Sequence, residues 1–225
     1  MMNKYMGFYE LREISIPTVP WQLFTADTGL DSNLLWTVRV AVEGGNDLNL
    51  PRAVGVSAEE AVKKGRELLK EYSGKGIVIV YPYFIAQKSG MLDISSTRTV
   101  IEAVNKDLWN LVTYGSRNMT AVFPFGLADE GAVQMVIGRG GSSDSCSKSE
   151  TSDMGGVQIF GDEAFLDTEE QKELLKYSAV LRGRFREKLS EGKSIFAEWS
   201  YAFRTDMEHE PIGDRYLVFY ELRVL

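Results

Sequence analysis

Two stretches of sequence, Ile195-Phe-Ala-Glu-Trp-Ser-Tyr-Ala-Phe203 and Tyr216-Leu-Val-Phe-Tyr-Glu-Leu-Arg-Val-Leu225, decide the fold. Both are rich in aromatic and β-branched residues and alternate in polarity, the period of a half-buried strand. Their spacing predicts an antiparallel hairpin, with Arg204 to Arg215 as a wide connecting loop. Alternation places Ala197, Trp199 and Tyr201 on one face and Phe196, Glu198 and Ser200 on the other, and it gives Glu221 and Arg223 a shared face. Two carboxylates and a guanidinium therefore converge on one sheet surface if those faces match, a set suited to Mg2+ and phosphate oxygens. The same spacing also fits the solvated side of an edge hairpin.

Before the hairpin, Asp167 to Glu191 reads as a long helix with acidic residues at its start and an irregular apolar face. Gly138 to Gly156 has no apolar period and is rich in Gly and Ser, so it reads as a flexible loop. Met119 to Phe125 and Ala132 to Ile137 read as strands, as does Thr97 to Ala103, and Asp107 to Tyr114 reads as a short helix or extended link. Ile77 to Ala86 is the most continuously apolar run and is predicted to be central in the sheet. Ser57 and Glu60 form a capping box opening a helix over Ala58 to Tyr72. Leu34 to Val42 is a strand that places Arg39, Ala41 and Glu43 on one face, with Asp47 just beyond it. Met6 to Ile16 reads as a first strand or extended arm, and Ile16-Pro-Thr-Val-Pro20 then forbids a helix. Two helices among hairpin-linked strands predict an α+β fold: a mixed, largely antiparallel sheet with helices mainly on one side.

The 225 residues are few enough to share one core, so residues 1–225 are expected to form a single domain. A net charge of -7 disfavours a nucleic-acid partner. Cys146 is the only cysteine, which excludes an intrachain disulfide and a cysteine-based metal site. No secretion signal or run of eighteen apolar residues is present, so a cytoplasmic protein without a membrane partner is expected. Gly138-Arg-Gly-Gly141 lacks the ending of a P-loop, and the lone His209 cannot build a multi-histidine metal site.

The order of segments resembles the nucleotide-binding domain of phosphoenolpyruvate synthase and pyruvate phosphate dikinase, an ATP-grasp-like fold. Thr37-Val-Arg-Val with Asn46-Asp-Leu-Asn-Leu-Pro51 resembles that family's Val-Arg-Ser-Ser segment and its later Glu-Asp-Leu-Pro. Ile77 to Leu92 resembles the strand and turn ending in Ser-Gly-Val, and Val100-Ile-Glu-Ala-Val with Leu111 to Gly115 resembles the next pair of segments. Ile195-Phe-Ala-Glu-Trp and Phe219-Tyr-Glu-Leu-Arg223 resemble the two closing strands. The likeness runs from about residue 36 to residue 223.

What the resemblance implies is an ATP- and Mg2+-binding component that phosphorylates a histidine on a separate protein, an ATP-dependent phosphotransferase if it is an enzyme. It assigns Arg39 and Arg223 to phosphate and catalysis, Glu198 to metal and nucleotide, and Glu221 to the place of a catalytic glutamine and to metal. Expected partners are a nucleotide or other small phosphorylated ligand and a phosphohistidine-bearing protein; a homo-oligomer is left open. The sequence departs from the family in three respects: there is no Gly-Gly-Lys-Gly-Ala-Asn-Leu segment, Phe196 stands where an acid is expected, and Glu221 replaces an amide with an acid. Those departures imply the alternative, a remnant of the fold that binds a ligand or partner without catalysis.

Overall fold

The computed structural model describes residues 1–45, 47, 49–108, 111, 115–125 and 156–225. In chain order the described elements are α1 (Lys4–Glu13), β1 (Gln22–Leu23), β2 (Trp36–Val42), β3 (Arg52–Val56), α2 (Ala58–Glu71), β4 (Gly76–Pro82), β5 (Phe84–Ile94), β6 (Arg98–Asn105), β7 (Met119–Pro124), β8 (Gln158–Gly161), α3 (Thr168–Arg184), α4 (Arg186–Ser190), β9 (Ile195–Thr205) and β10 (Pro211–Val224). The expected strand at Ala132 to Ile137, Cys146 and the Gly/Ser-rich loop up to residue 155 lie outside the described residues.

The architecture is α+β, the described strands pair antiparallel with one isolated parallel bridge between Thr18 and Phe219, and they divide between two sheets. A four-stranded sheet runs β1-β4-β2-β3 and a six-stranded sheet runs β10-β9-β5-β6-β7-β8. The expected strand Ile77 to Ala86 is in fact the junction: β4 belongs to the small sheet, β5 to the large one, and only Tyr83 separates them. Pro82 has no N–H to continue a ladder, and the Tyr83 N–H turns instead to Leu35 O at 2.8 Å.

Each sheet buries one face beneath a helix. Val38, Val40, Val78 and Val80 pack with Ala61 and Leu68 of α2, whose start is closed by the Ser57–Glu60 capping box. Leu92, Ile101, Ala197, Trp199 and Phe219 pack with Leu174, Leu175 and Leu181 of α3. The single helix expected over Asp167 to Glu191 breaks at Phe185 into α3 and α4, with Asp167 and Glu170 forming its capping box. A third core, including Phe8, Trp21, Ala41, Ile79, Tyr81, Ala202 and Val218, joins the two sheets across their other faces.

The first expected strand is instead α1. Its apolar residues do not form one stripe, which hides the helical period: Phe8 enters the inter-sheet core, Leu11 enters the α3-side core, and Met6 and Tyr9 are exposed. Asn3 caps it by accepting from the Met6 N–H at 3.2 Å, and it ends before Pro17. Gly7 lets α1 lie directly on β10, because a Cβ there would stand 1.9 Å from Leu222 O. The terminal hairpin forms as expected, but β9 and β10 are longer than the alternation suggested, and the loop between them shrinks to residues 206–210.

Gly7→Ala is expected to lift α1 from β10 and destabilise the fold by about 1–3 kcal/mol, read as a lower denaturant midpoint at unchanged m-value. An unshifted midpoint would show that the close approach carries no stability.

Candidate functional site

The faces of the two sheets that are not covered by α2 and α3 enclose a cavity of about 830 Å³ beside the inter-sheet core. The β9–β10 register explains which side chains reach it. Trp199 pairs with Phe219, but Glu198 pairs with Glu221, so Tyr220 is an extra residue in β10. That bulge lets β10 present Leu217 and Phe219 to the α3 side before it, and Leu222 and Val224 to the same side after it. Tyr220 and Glu221 consequently both line the cavity, together with Arg223. The hairpin is at a sheet edge, but this side is not solvated, since Glu221 is only 3% exposed.

The four residues singled out from sequence, Arg39, Glu198, Glu221 and Arg223, all line this one cavity. Arg39 comes from β2 of the small sheet and reaches across, Nη2 to Glu221 Oε2 at 2.8 Å. Arg223, two residues along β10, places Nε and Nη2 each 3.0 Å from Glu221 Oε1. Lys4 of α1 adds Nζ at 2.9 Å from the same oxygen. Asp47 steadies the rim, its Oδ1 3.4 Å from Arg223 Nη1 and its Oδ2 accepting from the Lys4 N–H at 3.5 Å. Ser89 and Ser200 share a 2.7 Å hydrogen bond on the large-sheet wall, while Arg52, Lys106 and Asp107 lie on the lining further from Glu221.

Two opposed carboxyl groups behave differently here. Burial pushes the Glu198 carboxyl up, and the neighbouring Glu221 charge pushes it further, to about 8, against the pull of Lys4 and Arg39. Burial acts on Glu221 in the same sense, but Arg39, Lys4 and Arg223 outweigh it and hold that group down at about 2. Near neutral pH the pair is thus a carboxylic acid beside a carboxylate within hydrogen-bonding reach. Burial, and then the Glu198 and Glu221 charges, raise the Tyr220 phenol, so it stays a neutral donor.

For Mg2+ the donor set is uneven. Glu198 offers a cavity-lining carboxyl, whereas both Glu221 oxygens already receive cations. Among the described residues no group of three or more His, Cys, Asp or Glu side chains is placed to hold a metal. One carboxylate is nonetheless enough for a Mg2+ whose other ligands are phosphate oxygens and water, so Glu198 fits that role.

Lys4 and Tyr220 are among the cavity residues that sequence reading missed. Lys4 lies just before the segment read as extended, in the first turn of α1. Tyr220 was hidden by assuming strict alternation; Leu217, Val218 and Phe219 are consecutive apolar residues, so the sequence does not mark where the alternation shifts. His209 lies at the tip of the β9–β10 turn, its ring edge-on to Tyr83 with centroids 5.8 Å apart. No helix among the described residues is long and apolar enough to cross a membrane.

No protein-family model matches the chain, and no characterised protein matches it by sequence. Among solved structures it is similar to a chain of dinucleotide forming acetyl-coenzyme A synthetase 1 from Candidatus Korarchaeum cryptofilum, in complex with coenzyme A, Ca-AMPCP and HgCl+. That likeness covers 100% of this chain and 92% of the other, at TM-score 0.54 and 11% identity. At that identity the likeness is one of fold alone.

The carboxyl pair predicts a pH dependence of stability. From the ordinary 4.5 up to about 8 the folded chain retains a Glu198 proton that the unfolded chain has lost. Folding therefore binds protons in that window, and the free energy of unfolding falls as pH rises through it. Glu221, held at about 2, contributes the opposite slope only below 4.5. Urea unfolding at the two ends of the upper window should show wild type losing more than about 1 kcal/mol relative to Glu198→Gln; parallel pH profiles for the two proteins would refute the assignment.

Proposed function

We propose that the cavity between the two sheets binds a nucleotide, or another small phosphorylated ligand, together with Mg2+. The observation that carries this reading is the convergence of Lys4, Arg39 and Arg223 on one point of a cavity of about 830 Å³. Cations drawn from α1, β2 and β10 and held away from bulk solvent favour a multiply charged oxyanion, because charged hydrogen bonds gain strength there. The ATP-grasp-like fold supports a nucleotide as its source.

In this reading Arg39, Arg223 and Lys4 orient the phosphates from the two sheets, and Glu198 loses its proton to hold the metal. When bound, Mg2+ neutralises charge on the phosphate oxygens. The finer proposal is ATP-dependent phosphoryl transfer in the cytoplasm to a histidine on a separate protein, as the likeness to phosphoenolpyruvate synthase implies. This chain would contribute positioning and charge stabilisation rather than a covalent nucleophile.

A second reading is a ligand-binding or interaction subunit of the same fold that transfers no phosphoryl group. It is favoured by the state of Glu221, which is a buried carboxylate that already receives all three cations. Release of ADP from Mg-ATP in the presence of a phosphoacceptor protein separates the two readings.

Calorimetric titration with Mg-ATP, AMP and phosphoenolpyruvate is expected to give saturable heat for at least Mg-ATP. Heats no larger than dilution for all three ligands would remove the nucleotide reading. Arg223→Ala, confirmed as folded by circular dichroism, is expected to weaken the phosphate ligand by about 1–3 kcal/mol, and unchanged affinity would take Arg223 out of the phosphate site.

A further inference from the structure

The cations that make this cavity attractive to phosphate are already engaged by the protein itself. Glu221 Oε2 receives Arg39 at 2.8 Å, while Glu221 Oε1 receives Lys4 at 2.9 Å and the Arg223 guanidinium at 3.0 Å. These groups arrive from α1, β2 and β10, so their meeting point is a product of the tertiary fold and not of one local motif. A single arginine can satisfy a buried carboxylate bidentately. Three cations around one such group exceed that need and match an oxyanion of higher charge.

The local charge sum points the same way. Lys4, Arg39 and Arg223 face Glu221 and Asp47, which leaves one positive charge over when Glu198 is protonated. A diphosphate entering beside an ionised Glu221 must share these donors with it and meet its charge at close range in a poorly screened site. Glu198, directly across the β9–β10 ladder, is near enough to Lys4 and Arg39 to feel both and stands ready as a substitute for Glu221.

We propose that Lys4, Arg39 and Arg223 form an oxyanion receptor whose built-in occupant is the Glu221 carboxylate, so that this side chain competes with the ligand's phosphate and sets the affinity of the site. The proposal rests on the phosphate reading of the cavity and deepens it by naming the residue that limits that affinity. Removing the occupant frees the receptor. Because Glu198 can ionise and take over once Glu221 is neutral, removing both acids frees it further.

Inorganic pyrophosphate, which has no base or sugar, is the probe. Calorimetry at low ionic strength without metal is expected to show Glu221→Gln binding it at least about tenfold more tightly than wild type, with Glu198→Gln/Glu221→Gln tighter again. Glu163→Gln/Glu187→Gln removes at least as much negative charge as the double variant, at exposed positions away from the cavity, and should stay within about twofold of wild type. The freed cations lower the stability of the cavity variants, so melting is followed in parallel. A larger rise in melting temperature with pyrophosphate in these variants than in wild type also supports the receptor. The inference is overturned if the variants bind pyrophosphate no more tightly than wild type, if the control pair gains as much as the cavity pair, or if the cavity variants stay unfolded at millimolar pyrophosphate. Mg-ATP titration of wild type is scored separately. Its failure removes the nucleotide reading and leaves the pyrophosphate comparison standing, whereas intact Mg-ATP binding with unimproved pyrophosphate affinity removes only the role given to Glu221.

Discussion

One buried carboxylate ties the molecule together. Glu221 lies on β10 of the large sheet, and the groups that neutralise it come from α1, from β2 of the small sheet and from β10 itself. Taking a carboxylate out of water costs several kcal/mol, and the cost is offset only when its partners are close and well aimed. The relative placement of the two sheets and of α1 is therefore a condition for burying this group. Gly7 and the bulge at Tyr220 serve the same end, one by bringing α1 against β10 and the other by turning Glu221 inward.

The rest of the inter-sheet space follows from that placement. Phe8 and Trp21 fill one part of it with apolar contact, their rings edge-on at 5.7 Å between centroids, and the polar cavity occupies the remainder. A second buried acid shows what a purely structural arrangement looks like. Glu170 accepts from Lys88 and Arg215 at 2.7 Å each while completing the capping box of α3. Its partners anchor a helix start to the large sheet, and it is not among the residues lining the cavity. Glu221 differs in receiving three cations at the wall of a space large enough for a ligand.

Much of this was legible in the sequence wherever local pattern and tertiary demand coincide. The α2 capping box, the strand over Trp36 to Val42 and the terminal hairpin follow from local composition and spacing. Arg39, Glu198, Glu221 and Arg223 were drawn to one cavity by alternation and by the order of segments. The failures share a physical cause. α1 straddles two cores and so shows no single apolar stripe, β4 and β5 read as one strand because a crossing between sheets needs no break in apolar sequence, and Lys4 reaches the cavity only through the docking of a helix that local pattern did not reveal. Contacts between elements distant in the chain leave no periodic trace.

The short junction at Tyr83 carries a further consequence, one of counting and not of energy. Side chains on an extended chain alternate, so the number of residues between β4 and β5 determines which side of the large sheet looks toward the small one. With a single intervening residue and an irregularity in β5 between Ala86 and Lys88, Ser89 faces the cavity and Leu92 faces α3. Adding or removing one residue there would exchange those roles along β5 or require another bulge to restore them. The identity of the linking side chain is open to change by substitution; its length is an odd-or-even constraint that a change of one residue keeps only with a compensating bulge.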